Sequence, residues 1–281
     1  MLLDYIRNDK HLTAAKDGCS GQAACGACTV EIDGKARLAC VTRMSQLEGA
    51  NVLTMEGFPE YVRDTIAKTF VNLGAVQCGF CIPGFISRAK VLLQDNPNPT
   101  IDEVRQALKA HICRCTGYKK IEESILSAAK ALEAKKVVEL NQTSGKIGVA
   151  HPKYGAYETA TGQRKFTDDI YIDGLLFGAL RFSDHPKAVV KKIDLSEALR
   201  IKGVCRIFTA KDIPGDQKIG LIYKDQYVMI GETQITHFIG DVIAGVVAET
   251  EEAARLAAKS IKIEYEVLQP VTDVFEALKG N

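Results

Sequence analysis

The placement of the cysteines constrains the fold of this chain more than any other feature of its sequence. The 281 residues contain nine cysteines, and all but one lie before residue 116. No signal peptide or membrane-spanning apolar run is visible, so the sequence predicts a cytoplasmic protein whose thiols are kept reduced. Closely spaced cysteines in such a protein indicate metal binding rather than structural disulfides. The N-terminal part is therefore expected to be built around metal sites.

The first cysteine group is a short-spaced triplet with a distant fourth member. Cys19, Cys25 and Cys28 lie in a loop rich in glycine and alanine, and Cys40 follows after eleven intervening residues. A [2Fe–2S] cluster takes four cysteine thiolates, and plant-type ferredoxins use a similar triplet with a remote fourth cysteine. Small residues let backbone N–H groups approach the cluster closely. Zinc is the alternative, but its ligands usually come as two short-spaced pairs, so this spacing favours a cluster.

The second group consists of two close pairs, Cys78 with Cys81 and Cys113 with Cys115. Each pair precedes a predicted helix, where the positive end of the helix dipole suits an anionic thiolate cluster. Taken alone, this pattern is also compatible with zinc. The single residue between Cys113 and Cys115 is a tighter spacing than zinc ribbons use, which favours a second [2Fe–2S] site.

The remaining cysteine and the histidines are expected to be structural. Cys205 lies in a strand-like apolar run, which predicts a buried, inert thiol. The five histidines share no spacing, and His111, although close to Cys113, is assigned a structural role.

The apolar pattern predicts an α+β chain of several domains. Residues 1–58 are strand-rich, with a hairpin turn at Asp33-Gly34. Residues 59–136 contain four amphipathic stretches, which predicts a small four-helix bundle. Residues 137–160 are polar and small and predict a linker, and residues 161–281 mix strand and helix patterns.

Several elements carry local signals of their own. Pro83 is expected to open the second helix of the bundle, and Thr100 to begin the third through a capping box. In the C-terminal part, Thr250 is expected to cap a helix. The apolar pattern of this part also predicts three strands, at residues 175–182, 241–248 and 261–267.

The overall charge argues against a polyanionic partner. The formal net charge is +1, and no basic patch or nucleic-acid-binding motif is present. We therefore expect neither a nucleic acid nor a membrane as a partner.

Three stretches resemble the xanthine dehydrogenase and aldehyde oxidoreductase family of molybdenum hydroxylases. They are residues 18–30 with Cys40, residues 76–85 with 112–118, and residues 160–178. The resemblance implies a β-grasp ferredoxin-like domain in residues 1–58 and a helical [2Fe–2S]-binding domain in residues 59–136. It also implies an α/β-hammerhead domain in residues 161–281.

The resemblance also implies a function. In this family a molybdenum–pterin centre hydroxylates its substrate with oxygen from water, and electrons leave through two [2Fe–2S] clusters. The implied metal ligands are the eight cysteines of the two groups, Cys19, Cys25, Cys28, Cys40, Cys78, Cys81, Cys113 and Cys115. The residues that match the family's pterin-side contacts are Gln77 and Cys115. No residue of this chain matches the family's catalytic glutamate, so the resemblance implies that the chain is an electron-transfer component of such an enzyme.

The chain departs from the family pattern in four ways. It begins after the pair of strands that usually opens the ferredoxin domain, which predicts an exposed sheet edge. The loop from Cys19 to Cys25 is one residue longer than usual and is similar to the selenium-dependent xanthine dehydrogenase branch. No flavin domain lies between the helical and hammerhead parts, so a flavin is expected only on a separate subunit. The molybdopterin motifs are absent, so that centre is expected on a partner or a further domain.

Two other functions remain open at this stage. One is a stand-alone electron carrier, against which the C-terminal part argues. The other is a non-catalytic assembly protein that binds zinc through its cysteines. A visible absorption spectrum separates the two kinds of site, since a zinc protein is colourless and a [2Fe–2S] protein is red-brown.

Overall fold

The computed structural model describes residues 1–280, and the chain divides into two compact units, Met1–Ile170 and Tyr171–Asn281. Each unit has hydrophobic clusters of its own. The division lies later than the predicted domain boundary at residue 160. The segment 161–170, which the sequence places at the start of the third domain, therefore belongs to the first unit.

The first unit opens with a short helix and a three-stranded antiparallel sheet. Helix α1 (Leu2–Asp4) continues as a π-helical turn, Tyr5–Asp9. The sheet contains β1 (Thr29–Ile32), β2 (Lys35–Leu38) and β3 (Val52–Leu53), with β1 in the centre.

The predicted turn at Asp33-Gly34 joins β1 to β2. Both turn residues have positive φ, 49° and 78°, as a two-residue hairpin of this kind requires. Strand β2 ends at Leu38, because Ala39–Val41 turn into a 3-10 helix that carries Cys40.

Four helices follow, as predicted. They are α2 (Glu60–Asn72), α3 (Ile82–Asp95), α4 (Ile101–Ala107) and α5 (Lys119–Glu133). The capping box at Thr100 is confirmed, since its hydroxyl accepts from the Glu103 N–H while the Glu103 carboxylate accepts from the Thr100 N–H. Pro83 lies in the first turn of α3, where its missing N–H is no loss.

A fifth helix lies inside the predicted linker. Helix α6 (Ala156–Ala160) buries Ala156 and Ala160 in the same core as α2 and α3. Its five residues give too short a pattern for helical periodicity to be recognised. The linker prediction therefore needs correcting for residues 156–160, which are packed.

The second unit is mainly antiparallel sheet with one well-packed helix. Its central sheet has the order β4 (Phe177–Phe182), β9 (Val242–Ala248) and β6 (Val204–Thr209). Helix α7 (Glu251–Ser260) packs on β4 and β9. Its predicted cap is confirmed, because the Thr250 hydroxyl accepts from the Ala253 N–H at 3.1 Å.

Two further strand pairs and a C-terminal helix complete this unit. They are β5 (Ala188–Asp194) with β10 (Lys262–Val267), β7 (Lys218–Ile219) with β8 (Gln226–Tyr227), and α8 (Val274–Leu278). The strands predicted near residues 175, 241 and 261 are those found as β4, β9 and β10. Within residues 1–280, no helix has the length and apolar content needed to cross a bilayer.

Candidate metal centres

The loop that carries the first cysteine triplet is curled by an unusual backbone. Ser20, Gly21, Ala23 and Gly26 all have positive φ, between 51° and 77°. Non-glycine residues rarely adopt this conformation, and its recurrence within seven residues turns the chain around the loop interior. Gly18 approaches so closely that a Cβ there would lie 3.1 Å from the Cys25 Sγ. The glycine and alanine residues of this loop therefore allow its backbone to lie close to the cysteine thiols.

The four thiols of the first group meet as two pairs. The Cys19 thiol contacts that of Cys25, and the Cys28 thiol contacts that of Cys40. A hydrogen bond from the Ala24 N–H holds the pKa of Cys19 below its ordinary value. Burial raises the pKa of Cys25, and it raises that of Cys28 to about 12. Because burial opposes ionisation of the inner thiols, a cationic centre between them would be needed to keep them as thiolates.

The second group is positioned by the starts of two helices. Cys81 is the N-cap residue of α3, with Cys78 one turn before it. Cys113 and Cys115 lie in the loop that precedes α5. The Tyr118 hydroxyl accepts from the Cys113 N–H at 3.0 Å and so ties this loop to the start of α5.

The second group also meets as two pairs. Cys81 contacts Cys113, and Cys78 contacts Cys115. Burial raises the pKa of Cys81 strongly. Burial also acts to raise that of Cys113, but hydrogen bonds from the Thr116 hydroxyl, at 3.1 Å, and from neighbouring amides outweigh it and lower the pKa. Cys113 is therefore the inner thiol of this group that is best stabilised as an anion.

The two pairs of the second group differ in exposure. Cys81 and Cys113 are buried, whereas Cys78 and Cys115 are exposed. Gln77, which the sequence analysis singled out with Cys115, is also exposed and directly precedes Cys78. The exposed side of this group could therefore meet a molecule outside the chain, while the buried side faces the protein.

The donor set of both groups is soft and sulfur-only, which suits iron–sulfur clusters or zinc. Two contacting pairs in each group match a binuclear cluster, which takes two thiolates at each iron. Within residues 1–280, no three His, Cys, Asp or Glu side chains gather as ligands around one point.

A backbone hydrogen bond joins the two groups, a contact that the sequence analysis missed. The Ile112 N–H donates to the Cys25 carbonyl at 2.9 Å, and Ile112 precedes Cys113. The start of α3 lies equally close, because a Cβ on Gly84 would come within 2.6 Å of the Gly26 carbonyl oxygen. No sequence signal predicts contacts between residues that are more than fifty positions apart.

His111 has the structural role that was predicted. Its Nε2 lies 3.0 Å from the Thr29 hydroxyl, and the side chain is buried beside Gly26. Burial, reinforced by the nearby Arg88 guanidinium, lowers its pKa to about 4. The imidazole is therefore neutral near pH 7 and fills the space between the two cysteine groups.

The prediction for Cys205 was wrong in one respect. Cys205 lies on β6 as expected, but its side chain is exposed rather than buried. A register shift between Val204 and Arg206 in the pairing of β6 with β9 accompanies this orientation. It stands apart from both cysteine groups in the sequence and belongs to the other unit.

Three family models match the chain. A 2Fe-2S iron-sulfur cluster binding domain matches residues 1–70, and a [2Fe-2S] binding domain matches residues 54–126. The a/b hammerhead domain of aldehyde oxidase and xanthine dehydrogenase matches residues 161–269.

Individual relatives match as well. The chain is 37% identical to aldehyde oxidoreductase of Megalodesulfovibrio gigas over 95% of its own length, and it spans 32% of that protein. It is 42% identical to the nicotinate dehydrogenase small FeS subunit of Eubacterium barkeri, with 46% of this chain matching 82% of that subunit.

A solved structure shows the same fold. The aldehyde oxidoreductase of Desulfovibrio desulfuricans superposes with a TM-score of 0.91 and 33% sequence identity, covering 100% of this chain and 33% of that one.

Proposed function

Because the chain belongs to the xanthine dehydrogenase and aldehyde oxidoreductase family of molybdenum hydroxylases, we propose that it is the electron-transfer part of such an enzyme. It carries the two [2Fe–2S]-binding domains and the hammerhead domain of that family. In this role it takes electrons from a molybdopterin centre and delivers them to an acceptor outside the chain. The observation that carries the proposal is the pair of four-thiol groups joined by the hydrogen bond from Ile112 to Cys25.

Each thiol group holds one cluster in this proposal. In the first group the pair Cys19 and Cys25 would hold one iron, and the pair Cys28 and Cys40 would hold the other. In the second group the corresponding pairs are Cys78 with Cys115 and Cys81 with Cys113. When bound, a [2Fe–2S] cluster supplies one-electron storage, so the two electrons of a hydroxylation leave one at a time.

The protein's own contribution is to hold the thiolates, exclude water and define a direction. Burial of Cys25, Cys28 and Cys40 shields the first site, and the hydroxyl of Thr116 supports the Cys113 thiolate. Gln77 and Cys115 lie on the exposed side of the second group, which fits them as the residues toward the pterin. Cys113 lies on the opposite side, where Ile112 leads to Cys25.

The expected partners follow from this direction of electron transfer, from the second thiol group to the first. A molybdopterin-binding domain or subunit would cover Gln77 and Cys115, and a flavoprotein subunit would receive electrons from the first site. Support for a multi-subunit arrangement comes from the Eubacterium barkeri relative, whose name describes a small FeS subunit. Substrate selection is assigned to that molybdopterin-binding partner, because the cysteines of both thiol groups hold the clusters in this proposal.

The test is metal analysis of anaerobically purified full-length chain. We expect about four iron and four sulfide per chain, and two distinct electron paramagnetic resonance signals after reduction with dithionite. Cys28→Ser should remove one signal, and Cys81→Ser should remove the other. Cys205→Ser is the matched control and should retain both. Stoichiometric zinc without iron would overturn the proposal.

A further inference from the structure

Residues 155–170 run across the first unit and touch both thiol loops. The segment begins with Gly155 and α6 and ends at Ile170, the last residue of the first unit. We refer to residues 155–170 as the strap. Sequence analysis divided the strap between a linker and the hammerhead domain, and neither assignment gives it a role at the thiol sites.

The strap first contacts the second thiol loop at Gly79, which lies between Cys78 and Cys81. Gly79 has φ +87°, and a Cβ on it would fall 1.8 Å from the Thr159 Cγ2. The Thr159 side chain is buried and its hydroxyl donates to the Gly155 carbonyl at 2.6 Å. The methyl group of Thr159 therefore occupies the space beside Gly79 that a side chain at that position would need.

The strap next contacts Phe80, a residue of the second thiol loop whose ring also lies close to the first thiol loop. The Phe166 ring packs edge-on against Phe80, with centroids 5.3 Å apart. Phe80 precedes Cys81, and its ring lies 3.4 Å from where a Cβ on Gly18 would be. Gly18 precedes Cys19. Phe166 thus supports Phe80 at the point where the two loops meet.

The strap is anchored by a buried ion cluster. Asp169 is 1% exposed and pairs with Lys16 and with Arg7, whose Nη2 lies 2.9 Å from Oδ1. Lys16 is also 1% exposed, and its Nζ lies 5.0 Å from the Phe166 ring centroid. Its own N–H donates to the Ala27 carbonyl at 3.1 Å, beside Cys28. The Asp169 carboxylate therefore joins the strap to the chain just before the Cys19–Cys25 loop, and the Lys16 backbone links that point to Ala27 just after the loop.

We infer that the strap is a positioning element for both cluster sites, acting through Thr159 on Gly79, Phe166 on Phe80, and Asp169 on Lys16. The inference rests on the proposed function, because it assumes that both thiol groups hold clusters. Residues that contact metal ligands without binding the metal themselves tune both the affinity for the metal and its electronic environment. Asp169 is the ion-pair partner of the buried Lys16, so removal of this carboxylate should leave that cation poorly compensated and relax the loop geometry that depends on it. Arg7 keeps its contact with Asp168.

The decisive comparison is between two neighbouring carboxylates. Asp169→Asn removes the buried anchor, whereas Asp168→Asn removes a side chain that is 81% exposed and that also contacts Arg7. In full-length, cluster-loaded protein, we expect Asp169→Asn to lose iron to a chelator about tenfold faster than wild type. Both resonance signals should broaden or shift. Asp168→Asn should stay within about twofold of wild type and keep both signals unchanged.

A second variant covers the case in which Asp169→Asn does not fold. Phe166→Leu keeps the ion cluster but removes the ring that packs against Phe80, so it should alter the resonance signals. The control is Phe238→Leu in the other unit, which should leave the signals unchanged. If both strap variants match their controls while wild type carries two clusters, the strap inference is wrong and the proposed function stands. If wild type carries no iron, the proposed function fails, and the strap inference fails with it.

Discussion

Gly79 is a residue whose replacement should be costly for two separable reasons. Its φ of +87° disfavours any side chain, and an added Cβ would collide with Thr159. Gly74 has a similar φ of +74° but open space around it, so it is a matched control. We expect Gly74→Ala to lower the free energy of unfolding by about 1 kcal/mol and Gly79→Ala by about 3 kcal/mol or more.

Urea unfolding of the cluster-free chain measures both values. The double variant Gly79→Ala with Thr159→Ala should recover part of the loss, because it removes the methyl group that collides. Equal losses for the two single glycine variants would show that the contact with Thr159 has no energetic weight.

Single residues were predictable where their chemistry depends on nearby positions. The spacing of Cys19, Cys25 and Cys28 predicted a loop around a metal site, and positive φ values curl the backbone of that loop in the structure. The burial of Lys16 was not predictable, because its partner Asp169 lies 153 positions away. A lysine in a polar stretch gives no sign that it will be buried, since burial depends on a counter-ion supplied by the fold.

At the scale of elements, the end of β4 is closed by a two-point ion pair. Arg181, on β4, donates to Asp184 through Nη1 at 2.9 Å and Nη2 at 2.6 Å. These hydrogen bonds hold the pKa of Asp184 below its ordinary value. A carboxylate with a lowered folded pKa stabilises the fold above its unfolded pKa of about 3.9. That contribution disappears as pH falls through the folded pKa.

Hydrogen-exchange protection of the β4 amides should therefore show a pH dependence that Asp184→Asn removes. At about pH 6 the variant should be less protected than wild type, and the difference should disappear as pH falls through the lowered pKa of Asp184. Asp216→Asn, which removes an exposed carboxylate from the same unit, tests whether the loss of any negative charge is enough. A constant difference at every pH would contradict the role of this ion pair.

Elements with local signals were predicted well, and the others were not. The caps at Thr100 and Thr250 and the turn at Asp33-Gly34 use interactions within four residues, so the sequence contains them. Helix α6 has no such signal, and it is helical because Ala156 and Ala160 fit into a core built by α2 and α3. Tertiary packing decides its structure, which single-sequence patterns do not record.

For the whole molecule, the β7–β8 hairpin presents exposed apolar side chains that we expect to favour self-association. Leu221, Ile222 and Tyr223 at its tip are 101%, 83% and 78% exposed. Adjacent exposed apolar side chains favour association, because burying apolar surface in a contact stabilises that contact by about 25 cal/mol per Å². We expect the isolated chain to elute above its monomer mass at high concentration, and Leu221→Ser with Ile222→Ser to shift it toward monomer.

Light scattering coupled to size exclusion gives the measurement. Ile147→Ser is the control, because Ile147 is 104% exposed but lies in a different, polar segment. If wild type remains a monomer at every concentration, the hairpin tip does not drive association.

The family was correctly identified from motifs alone, because the cysteine spacings that indicate cluster-binding loops lie within short stretches of sequence. The first unit extends to Ile170, beyond the boundary at residue 160, and Asp169 near its end pairs with Arg7 and Lys16 near its start. Such long-range contacts leave no local signal in the sequence.

The close approach of Gly84 to the Gly26 carbonyl has a practical consequence for protein engineering. An exchange of ferredoxin domains between relatives at residue 58 would cut through an interface in which backbone lies against backbone, and no side-chain repacking could absorb a mismatch there. A chimera built to change the electron acceptor should instead transplant residues 1–170 as one cassette, with its junction after Ile170.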